Sequence, residues 1–139
     1  MLFSKSILKT GYMKKILLVD DNIMMRRLII NLFRNENLEI DEASDGREGL
    51  DKISTKIYDL VITDIIMPGM EGIEMIMEAK KHHPNLKIIA ISGSKPYYLY
   101  VAKKLGVEAV FNKPLNQHHF YDKVKNVLQF QPVRIFQAS

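Results

Sequence analysis

The chain contains no cysteine. That absence excludes disulfide staples, thiolate zinc sites, iron–sulfur clusters and thiol nucleophiles together. It also fits a reducing compartment, so a cytoplasmic location is expected. No apolar run approaches the roughly 20 residues that span a bilayer. The longest near the start, Ile16–Val19, is followed at once by two aspartates. Residues 1–15 hold scattered lysines without an apolar stretch, which argues against a signal peptide. Neither a G-x-G-x-x-G run nor a P-loop is present, so the common phosphate cradles of nucleotide-binding proteins are missing. There is no internal repeat and no low-complexity segment.

What remains is an ordinary globular composition. The 139 residues suit one domain. Hydrophobic residues at 47% and charged residues at 26% exclude a disordered or fibrous chain. The net charge is +4. Residues 1–70 hold 10 Lys/Arg against 11 Asp/Glu, and residues 71–139 hold 10 against 5. The positive excess therefore lies in the second half. A basic surface can attract nucleic acid, anionic lipid or an acidic protein face. Scattered solvated lysines explain so modest an excess better, and neither direct nucleic-acid contact nor membrane insertion is expected.

Short β-branched runs alternate with stretches of helical spacing. Lys15–Val19, Leu60–Thr63 and Lys87–Ile91 are continuous apolar runs, as in strands covered on both faces. Leu38–Ala43 is more polar and reads as an edge strand; Ala109–Phe111 is the fifth. Between them, Asn22 caps a helix whose stripe is Met25, Leu28, Ile29, Leu32 and Phe33. A second helix runs from Glu48 to Ile57 with Leu50, Ile53 and Ile57 inward. The third spans Ile73–His82, closed by Pro84. Pro96 opens the fourth and Gly106 closes it. Residues 116–129 form the last helix, with Phe120, Val124, Val127 and Leu128 inward. Five such units predict an α/β fold with a doubly wound, five-stranded parallel sheet and right-handed crossovers. The expected strand order is 2-1-3-4-5, flavodoxin-like.

In such a sheet, function sits at the carboxyl ends of the strands. Strand one ends in Asp20-Asp21, strand three in Asp64, strand four in Ser92 and strand five beside Lys113. Strands one and three are neighbours in this order, about 4.8 Å apart. Their carboxylates crowd, and crowding is relieved by a raised pKa or a divalent cation. Oxygen ligands with carboxylates suit Mg²⁺, with Mn²⁺ as a substitute. A lysine across the crevice offers a point charge to a phosphoryl oxygen, and a serine hydroxyl offers a hydrogen bond. Together these make a site for phosphoryl transfer to an aspartate. Each residue alone is ordinary: a strand-end Asp caps a helix, a Ser sits in a turn, a Lys is solvated. The pairs His82-His83 and His118-His119 point apart on helices and suggest no metal site. The methionines Met24, Met25, Met67, Met70, Met75 and Met77 read as packing.

Val19-Asp20-Asp21-Asn22, Thr63-Asp64-Ile65-Ile66-Met67-Pro68-Gly69-Met70, Ile91-Ser92-Gly93 and Asn112-Lys113-Pro114 stand in this order and spacing. Together they resemble the signature of the receiver domain of bacterial two-component response regulators, over residues 13–130. The resemblance implies a (βα)5 receiver fold between an N-terminal extension, 1–12, and a tail, 131–139. It implies Asp64 as phosphoacceptor, Ser92 as switch hydroxyl and Lys113 as the phosphoryl contact, with a cis bond to Pro114. It implies Mg²⁺ held by Asp20, Asp21, Asp64 and the backbone carbonyl of Ile66. The donor would be a sensor histidine kinase or a histidine phosphotransfer protein. A downstream protein would bind the face of helix four, strand five and helix five, where Lys95, Lys103, Lys104, Lys123 and Lys125 favour an acidic partner. A monomer or a phosphorylation-dependent dimer is implied.

Few residues trail the last helix, so a stand-alone receiver is expected, with residues 1–12 an extension before an internal start at Met13. Such a domain is a signalling switch and turns over no metabolite.

Two positions depart from the family pattern. Many receivers place an aromatic residue three before the lysine, where this chain has Val110; its aromatic, Phe111, comes one later and faces the other way. Tyr97, Tyr98 and Tyr100 lie in the preceding helix. Ile66, two residues after Asp64, replaces a polar residue that can orient the hydrolytic water, which predicts a long-lived phosphoaspartate. The competing reading is a receiver-like adaptor that binds partners without phosphorylation. A phosphohydrolase of similar sheet fits less well, because its second Asp stands two residues after the nucleophile.

Overall fold

A computed structural model describes residues 13–67, 69, 72–93 and 96–129. The expected extension at 1–12, the tail at 131–139 and the side chains of Pro68, Met70 and Lys95 lie outside the described residues. The elements alternate without exception: β1 Lys14–Val19, α1 Ile23–Leu32, β2 Leu38–Ala43, α2 Gly46–Thr55, β3 Leu60–Asp64, α3 Gly72–His82, β4 Ile88–Ser92, α4 Pro96–Lys104, β5 Ala109–Asn112 and α5 Gln117–Leu128. The five strands pair in the order β2-β1-β3-β4-β5, and every pair is parallel. This is the predicted doubly wound sheet.

Burial follows position in the sheet. The central strands β3 and β4 are buried at every residue, and β1 over its last four. The outer strands β2 and β5 stay half-exposed. Successive strand residues face opposite sides. So Leu17, Val19 and Val61 join Ile53 of α2, Met75 and Ile76 of α3, and Leu99 of α4 in one core. Ile16, Leu18 and Ile62 join Ile29 and Phe33 of the α1 end, and Phe120 and Val124 of α5, in the other. Val110 packs against the first core and Phe111 against the second, with Phe111 edge-to-face on Phe120 at 5.3 Å. The strand alternation therefore sends the aromatic away from α4, as its position in the sequence implies.

The helix starts are set by side-chain caps. Asn22 accepts from the amides of Met24 and Met25, Asp45 from that of Glu48, and Asn116 from that of His119. Glu48 in turn accepts from the Ser44 amide at 2.8 Å. Three expectations change. Helix α2 begins at Gly46 and ends at Thr55, so Ile57 falls beyond the helix and is 87% exposed. Met24 and Met77 face solvent, whereas Met67 and Met75 are buried. Lys125 is paired with Glu36 at 3.2 Å and lies over the Tyr121 ring, so its charge is largely matched within the fold. Among the described residues, no helix is long and apolar enough to cross a membrane.

Candidate functional site

The register of the sheet builds the site. Val19 pairs with Thr63, and Asp64 with Ile91. Asp20 follows the last residue of β1, while Asp64 and Ser92 are the last residues of β3 and β4. All three thus reach the same edge, and Lys113 follows the end of β5. The chain beyond Asp64 stays in the ladder for one more bond, Ile65 N to the Ile91 carbonyl at 2.9 Å. Lys113 donates its amide to the Ser92 carbonyl at 3.0 Å, which locks the loop after β5 to the end of β4. The Lys113–Pro114 bond is cis.

Carboxylate oxygens of Asp20, Asp21 and Asp64 lie within 4.8 Å of one another. Asp20 is 1% exposed and Asp64 6%, while Asp21 faces solvent. Lys113 Nζ reaches Asp64 Oδ2 at 3.2 Å and Asp20 Oδ2 at 3.8 Å. Asp64 Oδ1 also meets the Ile66 amide at a long 3.4 Å. Asp20 Oδ1 accepts from the Asn22 amide at 2.9 Å, but its Oδ2 is buried with no hydrogen bond. Such an atom is costly to leave bare. The charges do not balance either: one ammonium faces three carboxylates, so two negative charges remain.

Burial, reinforced by Asp64 and Asp21 and opposed by the Asn22 amide and Lys113, pushes the Asp20 carboxyl up to about 6. The unfolded chain releases this proton near 3.8. The fold therefore holds the proton more tightly than the unfolded chain. The sign follows: the metal-free fold loses stability as pH rises from about 3.8 to about 6. A divalent cation held by this cluster would compete for the same carboxylate. Its affinity should be level above about pH 6 and fall up to about tenfold per pH unit below it. Thermal unfolding at about pH 5 and about pH 7, with and without Mg²⁺, checks this: the stabilisation by Mg²⁺ is expected to be larger at the higher pH.

The structure brings together all the predicted side chains: Asp20, Asp21 and Asp64 as one cluster, Lys113 across it, and buried Ser92 on the neighbouring strand. Ile66 lies beside Asp64, with its amide toward Asp64 Oδ1, and is 36% exposed. Two residues that position the site were not foreseen. Arg26 donates from Nη1 to the Asp20 carbonyl at 2.6 Å. Gly72, one residue before the predicted helix start at Ile73, opens α3 directly against the Asp64 carbonyl. Only the adjacency of β1 and β2 gives a hint of the first; the second has no signal in a single sequence.

Comparison with known proteins agrees with this geometry. Residues 16–125 match the family model described as the response regulator receiver domain. Sporulation initiation phosphotransferase F of Bacillus subtilis is 32% identical over 116 residues, covering 83% of this chain and 94% of that protein. Response regulator ArlR of Staphylococcus aureus is 28% identical over 120 residues; the match covers 86% of this chain but only 55% of that protein. The chain thus spans about half the length of ArlR. Among solved structures, a CheY-like receiver domain protein from Methanospirillum hungatei superposes with a TM-score of 0.79 at 30% identity, covering 85% of this chain and 95% of the other. Chemotaxis protein CheY4 of Vibrio cholerae gives 0.75 at 27% identity, over 84% and 99%. The sheet order, the strand-end cluster and the match across residues 16–125 together establish that this chain belongs to the response regulator receiver domain family of two-component signalling.

Proposed function

We propose that this receiver takes a phosphoryl group onto Asp64 from the phosphohistidine of a sensor histidine kinase or a histidine phosphotransfer protein. The reading rests on one observation above all: Lys113 Nζ sits between Asp64 Oδ2 and Asp20 Oδ2, at 3.2 and 3.8 Å, and the second of these is buried without a hydrogen bond. That bare oxygen, the excess negative charge and the all-oxygen donor set fit a divalent cation of the Mg²⁺ or Mn²⁺ kind. Asp20, Asp21, Asp64 and the Ile66 carbonyl would hold it. When bound, it supplies charge neutralisation for the phosphoryl oxygens.

The residues of the chain do the rest. Asp64 lies at the strand end, where a donor histidine can approach in line. Its carboxylate oxygen forms a bond to phosphorus as the bond from phosphorus to the histidine nitrogen breaks, and the imidazole, already protonated on its other ring nitrogen, leaves as the neutral base. Lys113 shifts from the carboxylate to a phosphoryl oxygen, and Ser92 offers its hydroxyl to another. The nearly full-length likeness to a phosphotransferase of sporulation initiation supports a relay of the phosphoryl group onward. A downstream partner would meet the face of α4, β5 and α5. There Tyr97, Tyr100, Lys103 and Lys104 are exposed, whereas Lys125 is already engaged.

The test is intact mass after incubation of the native chain with acetyl phosphate and Mg²⁺. One added phosphoryl group, removed by hydroxylamine as an acyl phosphate is, supports the reading. No gain with excess donor and metal, and none with a phosphohistidine donor, would leave the adaptor reading in its place. A further outcome concerns lifetime. Ile66 presents no polar atom beyond its backbone to orient water, so Ile66→Asn is expected to speed the decay of the phosphorylated mass severalfold. Unchanged decay would sink that idea.

A further inference from the structure

We infer that Arg26 is a positioning residue of the cation site: its guanidinium clamps the peptide between Asp20 and Asp21 and ties it through Glu42 to the edge strand β2. The inference rests on the reading of Asp20, Asp21 and Asp64 as the cation-holding set.

The contacts form a closed ring. Arg26 Nη1 donates to the Asp20 carbonyl at 2.6 Å, and Arg26 Nε donates to Glu42 Oε1 at 2.8 Å. Glu42 precedes Ala43, whose carbonyl accepts from the Asp20 amide at 3.1 Å. Both backbone polar groups of Asp20 are therefore anchored, one by the end of β2 and the other by a guanidinium that β2 itself holds. The Arg26 side chain is 13% exposed and that of Glu42 32%, so water reaches the ring mainly from the Glu42 side.

The Asp20 carbonyl shares one rigid plane with the Asp21 amide. Holding that carbonyl fixes the direction in which Asp21 leaves the strand. This matters because no hydrogen bond or ion pair among the described residues fixes the Asp21 side chain itself. The same plane sets the turn in which Asn22 donates to Asp20 Oδ1 at 2.9 Å. Arg26 thus governs the aim of two of the three carboxylates without touching either. The planar guanidinium serves a carbonyl and a carboxylate from two nitrogens held in a fixed fork; an ammonium is a point charge on a flexible stem and fixes their relative directions less well.

Coulomb's law and positioning predict opposite signs here. Arg26 is a positive charge near the acidic cluster, so by charge alone its removal would tighten cation binding. If it positions the ligands, its removal weakens binding. Arg27 supplies the control. It pairs with the same Glu42 at 3.2 Å, yet makes no bond to the Asp20 carbonyl.

The experiment is calorimetric titration of the full chain with Mg²⁺, for the native protein, Arg26→Gln, Arg26→Lys and Arg27→Gln, with thermal unfolding of each. Arg26→Gln is expected to bind Mg²⁺ about tenfold more weakly, as loss of an outer-shell partner does. Arg26→Lys should fall between it and the native chain, and Arg27→Gln should bind as tightly as native or slightly more so. In phosphorylation by acetyl phosphate, the loss should appear in the Mg²⁺ concentration at half-maximal rate more than in the maximal rate. Binding by Arg26→Gln that is unchanged or tighter overturns the inference, as does an equal loss in Arg27→Gln. If Arg26→Gln does not fold, Arg26→Lys decides alone: it keeps the charge, so weaker binding supports positioning and unchanged binding overturns it. A native chain that does not bind Mg²⁺ would instead overturn the reading of the cluster.

Discussion

Asp64→Asn is expected to take up no phosphoryl group from acetyl phosphate and Mg²⁺ while remaining folded. The amide is nearly isosteric with the carboxylate, so the packing at the end of β3 is kept. What changes is chemistry and charge. An amide nitrogen is no nucleophile at neutral pH, and its oxygen carries no full negative charge. Lys113 loses its partner at 3.2 Å and keeps only Asp20 at 3.8 Å. Asp20 loses the repulsion from Asp64 that helps to raise its pKa, so its carboxyl should ionise at lower pH than in the native chain. Loss of an ion pair and relief of a like-charge contact oppose each other. Stability is therefore expected to fall by less than the roughly 3 to 5 kcal/mol that breaking a buried ion pair costs when nothing offsets it. Intact mass and thermal unfolding together read this out. A folded variant that still gains a phosphoryl group would place the acceptor elsewhere, and peptide mapping would then show whether Asp20 or Asp21 carries it. An unfolded variant would give Asp64 a structural role that its geometry does not suggest.

The parts of this molecule that were legible in the sequence depend on local rules. Val61-Ile62 and Ile88-Ile89 show no alternation because helices cover both faces of β3 and β4, and that pattern needs no knowledge of the rest of the chain. The cap at Asn22 is equally local. The strand-end cluster was legible one step later: once the order 2-1-3-4-5 is accepted, Asp20, Asp64, Ser92 and Lys113 have no other edge to occupy. Illegible features depend on where the backbone turns and on contacts between distant elements. Ile57 fits a helical stripe, but Lys56 turns to extended backbone and ends α2 before it. Arg26 resembles any solvated helix residue until β2 brings Glu42 beside it, 16 residues on in sequence. Lys125 adds to a basic face on paper, yet Glu36 from the loop before β2 matches it. Charge read along a chain overstates charge on a surface wherever the fold supplies partners.

Gly72→Ala is expected to be the most damaging small substitution in the described part of the chain. A Cβ added at this position would lie 2.2 Å from the Asp64 carbonyl oxygen and 2.7 Å from the Ile65 Cα. Both are backbone atoms, and neither can step aside. The Asp64–Ile65 segment is held to β4 by the bond from Ile65 N to the Ile91 carbonyl at 2.9 Å, and Gly72 itself donates to the Ile65 carbonyl at 2.8 Å. Relief therefore requires α3 to move off the sheet, which pulls Met75 and Ile76 from the core they fill. A cost near the upper end of overpacking, about 3 kcal/mol, is expected. It should appear as a fall in melting temperature on the order of 10 °C. The same strain bears on the peptide of the residue read as acceptor, so phosphorylation should drop in whatever fraction stays folded. Gly49→Ala is the matched control. Its Cβ would meet the Met75 sulfur at 3.0 Å and a Val19 methyl at 3.1 Å, side-chain atoms that can shift by a few tenths of an ångström. Within α2, alanine also gains about 1 kcal/mol of helix propensity over glycine. Gly49→Ala should thus cost far less than Gly72→Ala and leave phosphorylation near the native level. Equal effects of the two substitutions would show that α3 yields freely at its first turn, and that Asp64 is not held in place by a close backbone contact.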